Sequence, residues 1–225
     1  AEGEYVVLLA APAVPLDEGW LTALLGFAAQ EGIAAAGAKV LVPDGWIAHG
    51  GVLIGEGLPL PAYRGVPGDY MGYLGMLAVP SNWSAVAGAL MARRDRLLGL
   101  GGLGPYASPA AEADYCLRAS QRGLRSVLVP AARLQLVDTA SLRLPPLADL
   151  AAFKRTWGGR PARDPYYHPA FWQQRPMFPA PAIETEVVLP LVAPAQAEDR
   201  EQERREEDLD PHDDQSGRPH GQALL

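Results

Sequence analysis

Glu112, Asp114 and Arg118 share the short stretch EADYCLR. On a helix Glu112 falls in the first turn, where the dipole favours an acid. Asp114 and Arg118 stand four residues apart, the spacing of an ordinary helical ion pair. His49 precedes Gly50 and Gly51 as a lone imidazole and reads as structural. Cys116 lies with Tyr115 and Ala119 on the same helical stretch and reads as core. The opening segment EYVVLLAAPAVPLDEGW raises the opposite problem. In open α/β sheets, ligands and catalytic groups gather at the carboxyl ends of strands. Here the strand runs into Ala10, Ala11 and Pro12, with no charge, hydroxyl or amide. The nearest carboxylate, Asp17, reads as a helix cap. No Gly-rich phosphate loop of the P-loop type offers a substitute.

The elements that must position these groups follow from composition and pattern. The chain has 225 residues, 48% of them hydrophobic, enough for one sizeable domain with a real core. Its 24 Gly and 22 Pro point to a loop-rich plan instead of a helical bundle. The net charge of −7 is unevenly placed: residues 198–225 hold ten acidic and four basic residues, leaving 16 acidic against 15 basic elsewhere. No basic stripe suggests nucleic acid. The single cysteine excludes an internal disulfide and a multi-cysteine metal site, and fits a reducing, cytoplasmic setting. No apolar run reaches the roughly 18–20 residues a membrane span needs. The first residue is Ala, so the chain reads as a segment of something longer or as one processed at its start.

Along the chain, the first strand leads to a helix bearing Trp20, Leu21, Leu24, Leu25 and Ala28, closed by Gly32. AAAGAKVLVPDGWIAHGGVLIG predicts two strands around a Pro43-Asp44-Gly45 turn. Residues 56–76 read as a long Gly/Pro/Tyr loop, ordered by Tyr63, Tyr70 and Tyr73. Residues 84–92 fit a helix by propensity or a buried strand, with a short helix from Arg94. SPAAEADYCLRASQRG carries Ser108 as N-cap, Pro109 at the first helical position and Gly123 at the close. LRSVLVP predicts a strand stopped by Pro130. Beyond Arg143 the chain turns irregular, and the segment after Pro194 reads as disordered or at most a solvated helix.

The order of these pieces resembles the second half of a bacterial family 2 glycosyltransferase of the GT-A fold, of the O-antigen or rhamnosyltransferase kind. The similarity runs from about Ala1 to Pro181. AEGEYVVLL looks like the run into the family's metal-binding acidic motif, and VLVPDGWIAHGGVLIG like its Pro-Asp-Gly hairpin and histidine segment. YRGVPGDYMGYLGMLAVPSNWSAVAGALMARRDRLLGLGGL matches a loop, strand and Gly-Gly turn. EADYCLRASQRGLRSVLVP looks like the family's Asp-Val-Asp helix and following strand, and WGGRPARDPYYHP like its C-terminal segment.

The resemblance implies an α/β fold: a partial GT-A mixed sheet with flanking helices, lacking the nucleotide-binding half. It implies an acceptor-side domain at 1–144, an irregular Pro-rich extension at 145–194 packing on it, and a disordered acidic tail at 195–225. The implied reaction moves a sugar from a nucleotide-diphosphate sugar to an acceptor hydroxyl, in cell-surface polysaccharide synthesis. In that scheme Glu112 takes the place of the general base and Asp114 that of the second acidic residue. His49, Gly88, Gly101, Gly102, Arg118 and Asp138 fall at positions expected near substrate. His168 sits where the family usually has Asn and reads as loop structure. Mg²⁺ or Mn²⁺ is the family's expected cofactor, but its acidic pair falls on Ala10–Pro12, and an alanine methyl cannot coordinate. The family's His-His-Glu-Ser run falls on Leu136, Val137, Asp138 and Thr139. The implied partners are the donor, a glycan acceptor and the N-terminal half of the same domain. The same substitutions imply impaired catalysis by this chain alone, and leave open a non-catalytic binding or scaffolding module.

Overall fold

The computed structural model describes residues 2–140, 142, 145–158 and 164–167, all within one compact unit spanning Ala1–Ile183. Its frame is a mixed sheet. β1 (Tyr5–Leu9) lies antiparallel to β8 (Ala89–Arg93), and β8 lies antiparallel to β3 (Ile33–Leu41). β3 runs parallel to β9 (Arg125–Leu136), whose far end pairs antiparallel with β2 (Ala13–Pro15). β4 (Ile47–His49) turns back on β3, and β7 (Ser81–Trp83) pairs with β9. β5 (Val52–Gly55) and β6 (Leu58–Pro61) form a separate hairpin.

β3 reads IAAAGAKVL and is buried throughout, the near-continuous apolar run of a strand covered on both faces. Its Gly37 is required by packing, since a Cβ there would sit 2.4 Å from that of Val86. α1 (Trp20–Ala28) covers one face, where Leu24 and Ala28 meet Val40, Val127 and Leu134. α3 (Ala110–Ser120) and α4 (Leu147–Trp157) cover the other, where Tyr115, Phe153 and Trp157 join Trp83 and Leu128. The Tyr115 hydroxyl crosses that layer to donate to the Ala34 carbonyl at 2.9 Å. Cys116 is fully buried, and burial pushes its thiol up to about 11, so it is core, as its helical spacing predicts. Among the described residues, no helix is long and apolar enough to cross a membrane.

The expected α/β class, a mixed sheet flanked by helices in a GT-A-like arrangement, is what folds. The Pro43-Asp44-Gly45 turn forms as predicted, with Gly45 at φ 82° and its N–H donating to the Val42 carbonyl at 2.9 Å. Of residues 84–92, Ala89–Ala92 resolve as strand, within β8, while 84–88 are neither helix nor strand, and α2 (Arg94–Gly99) follows directly. Tyr63 orders the long loop, its ring edge-on to Trp83 and its hydroxyl accepting the Tyr73 N–H at 3.1 Å.

Five local expectations are corrected. Pro130 does not stop its strand: Pro130, Ala131 and Ala132 bulge between the Ala38↔Val129 and Lys39↔Arg133 pairs, where no ladder donor is needed. Asp17 does not cap α1; its carboxylate forms a fork with Arg133 at 2.6 and 2.9 Å, which lowers its pKa. Ser108 does not cap α3. The Ala107 carbonyl takes the N–H groups of Ala110 and Ala111 at 3.0 and 3.3 Å, leaving the serine hydroxyl to another partner. Leu58–Pro61 in the long loop is a strand, because the Glu56-Gly57 turn folds it onto β5. Leu147–Trp157 in the expected irregular extension is a helix, its Phe153 and Trp157 buried against the core. The expected tail at 195–225 and His168 lie outside the described residues.

Candidate functional site

The end of β1, the end of β4, the turn before β8 and the entry to α3 converge on one cleft of about 40 Å³. Ala10 and Ala11 form one side, joined to Gly88 by a 2.9 Å bond from the Ala10 N–H to the Gly88 carbonyl. Gly88 is at φ 83°, and its missing side chain makes room for His49, since a Cβ there would sit 2.6 Å from the imidazole Cδ2. Ser108 and Pro109 bring in the helix entry, and Arg64 reaches in from the loop after β6.

Glu112 stands directly behind Ser108 and Gly88 and is only 4% exposed. Its Oε1 accepts from the Ser108 hydroxyl at 2.7 Å, and the Gly88 N–H points at the same oxygen from 3.4 Å. Its Oε2 is buried with no hydrogen-bond partner, as is Nδ1 of His49. Leaving a buried polar atom unpaired costs about 1–3 kcal/mol. Two such atoms beside one cleft mark a place where stability is given up.

Burial, with the Arg64 charge beside it, lowers the pKa of His49 to about 4. The imidazole is therefore neutral at pH 7 and must be charged only at a cost. Between pH 6.5 and 4 the unfolded chain binds a proton that the folded one does not, so stability falls as pH falls through that window. We expect a loss of about 2 kcal/mol by pH 5. Urea denaturation at pH 7 and 5 checks it, and a His49→Gln variant should lack this part of the pH slope.

The other sequence candidates sit elsewhere. Asp114 is buried, and both its oxygens are taken: Oδ2 by Arg118 at 2.7 and 2.8 Å, Oδ1 by the indole N–H of Trp157 at 2.9 Å. Arg118 continues to the carbonyls of Leu100 and Gly102. Gly101 and Gly102, at φ 87° and 75°, close α2 by donating to the carbonyls of Leu98 and Leu97. These residues form a structural network that ties α2, α3 and α4 together. Asp138 is exposed beyond β9 and does not line the cleft. A larger cavity of about 300 Å³, walled by Trp83, Trp157 and Tyr166, shares no lining residue with the cleft. Its one acid, Asp164, is held by the N–H groups of Ile54 and Tyr166 at 2.7 and 2.9 Å.

The cleft does not fit a divalent cation. Two methyl groups stand at the strand tip, no carboxylate lines the cleft, and the charged side chain that does is a guanidinium, which repels a metal. Among the described residues, no three His, Cys, Asp or Glu side chains gather where they could hold an ion.

Two contributors are absent from the sequence reading, Arg64 and the orienting role of Ser108. Arg64 left a trace, being the only charged residue between Glu56 and Asp69 in an otherwise apolar loop. Ser108 left none, because the cap motif explained it away.

No protein-family model matches the chain. Over 179 residues it is 32% identical to the O-antigen biosynthesis protein RfbC of Myxococcus xanthus, covering 75% of this chain and 14% of that protein. Over 181 residues it is 30% identical to an uncharacterized protein, y4gI, of Sinorhizobium fredii, covering 75% of this chain and 20% of that protein. The chain is thus a distant homologue of a piece of each, spanning a fifth or less of their lengths.

Proposed function

We propose that this chain is the acceptor-side half of a family 2, GT-A-type glycosyltransferase domain of cell-surface polysaccharide synthesis, working in the cytoplasm together with a nucleotide-binding half and impaired without it. Its substrates are a nucleotide-diphosphate sugar and a glycan acceptor hydroxyl. The observation that carries this reading is Glu112, a buried carboxylate with one oxygen held by Ser108 and the other unpartnered beside a cleft. The motif order of the sequence and the similarity to an O-antigen biosynthesis protein support it.

In the proposed reaction the acceptor oxygen attacks the anomeric carbon as its proton passes to Oε2 of Glu112. The bond from that carbon to the diphosphate oxygen breaks, and the electron pair leaves with the diphosphate. Ser108 holds Oε1 and so aims the basic oxygen. Neutral His49 walls the site without adding a competing charge.

A second reading, a non-catalytic glycan-binding or scaffolding module, draws on the bare strand tip at Ala10–Ala11. Calorimetric titration with nucleotide-diphosphate sugars, with and without Mn²⁺, separates the two when paired with mass-spectrometric detection of extended acceptor. The transferase reading expects metal-independent donor binding and product. Glycan binding with no donor binding and no product would favour the module.

A further inference from the structure

The cleft carries the sign of charge opposite to that of a metal site. Arg64 lines it half-buried, and burial lowers its pKa from the ordinary value, the mark of a cation held partly out of water. Among the described residues no carboxylate lies within ion-pair distance of it. Its one hydrogen bond there, from Nη2 to the Leu142 carbonyl at 2.8 Å, fixes the guanidinium without neutralising it. A half-buried cation with free donors is expensive until an anion arrives.

Three further observations point the same way. His49 is 9% exposed, and its Nδ1 has no partner. Ala10 and Ala11 put no acid beside the guanidinium. The volume of about 40 Å³ holds two or three waters or one phosphate-sized group.

We propose that Arg64 and His49 form a metal-independent phosphate subsite, in which the guanidinium supplies the positive charge that a divalent cation would otherwise bring. Resting on the transferase reading above, the subsite takes the sugar-bearing phosphate of the donor's diphosphate. As the bond to the sugar breaks, the departing oxygen keeps the electron pair, and the Arg64 N–H groups donate to it. The acceptor's proton goes to Glu112, on the Ser108 side of the cleft. The two charges thus divide the work: the cation receives the leaving group and the carboxylate receives the proton.

The test is titration of the full chain with inorganic pyrophosphate in EDTA. Saturable binding is expected, weakened at least tenfold in Arg64→Gln and less in Arg64→Lys. Glu112→Gln should tighten it, because a nearby negative charge is removed. Arg133→Gln, at an exposed arginine paired with Asp17, should leave it unchanged. Circular dichroism confirms that each variant is folded, and Arg64→Lys decides the matter if Arg64→Gln is not. Failure to bind, binding only with Mn²⁺, or equal binding by the folded arginine variants would overturn the subsite. Pyrophosphate binding through Arg64 without any sugar transfer, even when the chain is joined to a nucleotide-binding half, sinks the transferase reading and leaves the phosphate subsite standing. Transfer that requires Mn²⁺ and survives Arg64→Gln sinks the subsite and leaves the transferase.

Discussion

Glu112→Gln lowers the rate of sugar transfer by about 10²–10⁴-fold, the usual worth of a positioned general base, while the fold holds. The amide keeps the shape of the carboxylate and can still accept from Ser108 through its oxygen. What it loses is the lone pair that takes the acceptor's proton. The fall should appear in kcat, with KM for the donor little changed, because the interaction is made in the transition state. Stability should stay level or rise, since a buried charged oxygen without a partner is removed. Glu112→Asp keeps the charge but draws it back by one carbon–carbon bond, and a displacement of ~1 Å can cost ~10²-fold. Single-turnover assays with a saturating donor measure both variants. Full turnover in Glu112→Gln would remove this residue from the chemistry.

Asp114→Ala shows the opposite profile, a loss of about 3–5 kcal/mol in unfolding free energy, the range for breaking a buried ion pair from one side. Two donors lose their acceptor at once. Arg118 is left among carbonyls with no counter-charge, and the Trp157 indole N–H is stranded in the core. Because Trp157 belongs to α4, the variant should also loosen that helix, seen as faster amide exchange across Leu147–Trp157. Asp114→Asn, which keeps one acceptor oxygen, should lose about half as much. Urea denaturation reads the effect. An Asp114→Ala protein of unchanged stability would mean that the network around it carries little.

These two acids lie two residues apart on one helix, and that contrast shows what the sequence could convey. Local pattern was enough for β3, whose buried run is mostly Ala, Ile, Val and Leu, and for the turn at Pro43-Asp44-Gly45. It also gave Asp114 and Arg118 as a helical pair, because that contact is set by the helix itself. It did not give Trp157 as the third member, since that contact spans 43 residues. Single-residue rules failed where tertiary context supplied another solution. Pro130 sits in a bulge, Asp17 finds Arg133, and the hydroxyl of Ser108 turns to Glu112. Of the cleft, His49 and Gly88 line it and Glu112 lies behind Gly88, while Arg64 left only its isolation in an apolar loop, because its neighbours there are remote in sequence.

The parallel pairing of β3 with β9 also governs how the chain must fold in time. Ile33 meets Arg125, so the central pair closes a loop of roughly ninety residues before it returns any stabilisation. Topologies dominated by such contacts fold slowly, on the millisecond-to-second scale. During synthesis β3 emerges long before its partner, as a nine-residue apolar strand with an open edge. A nascent chain released before Arg125 lacks that partner altogether. For this protein, the interval between making β3 and making β9 is the period of greatest exposure to aggregation.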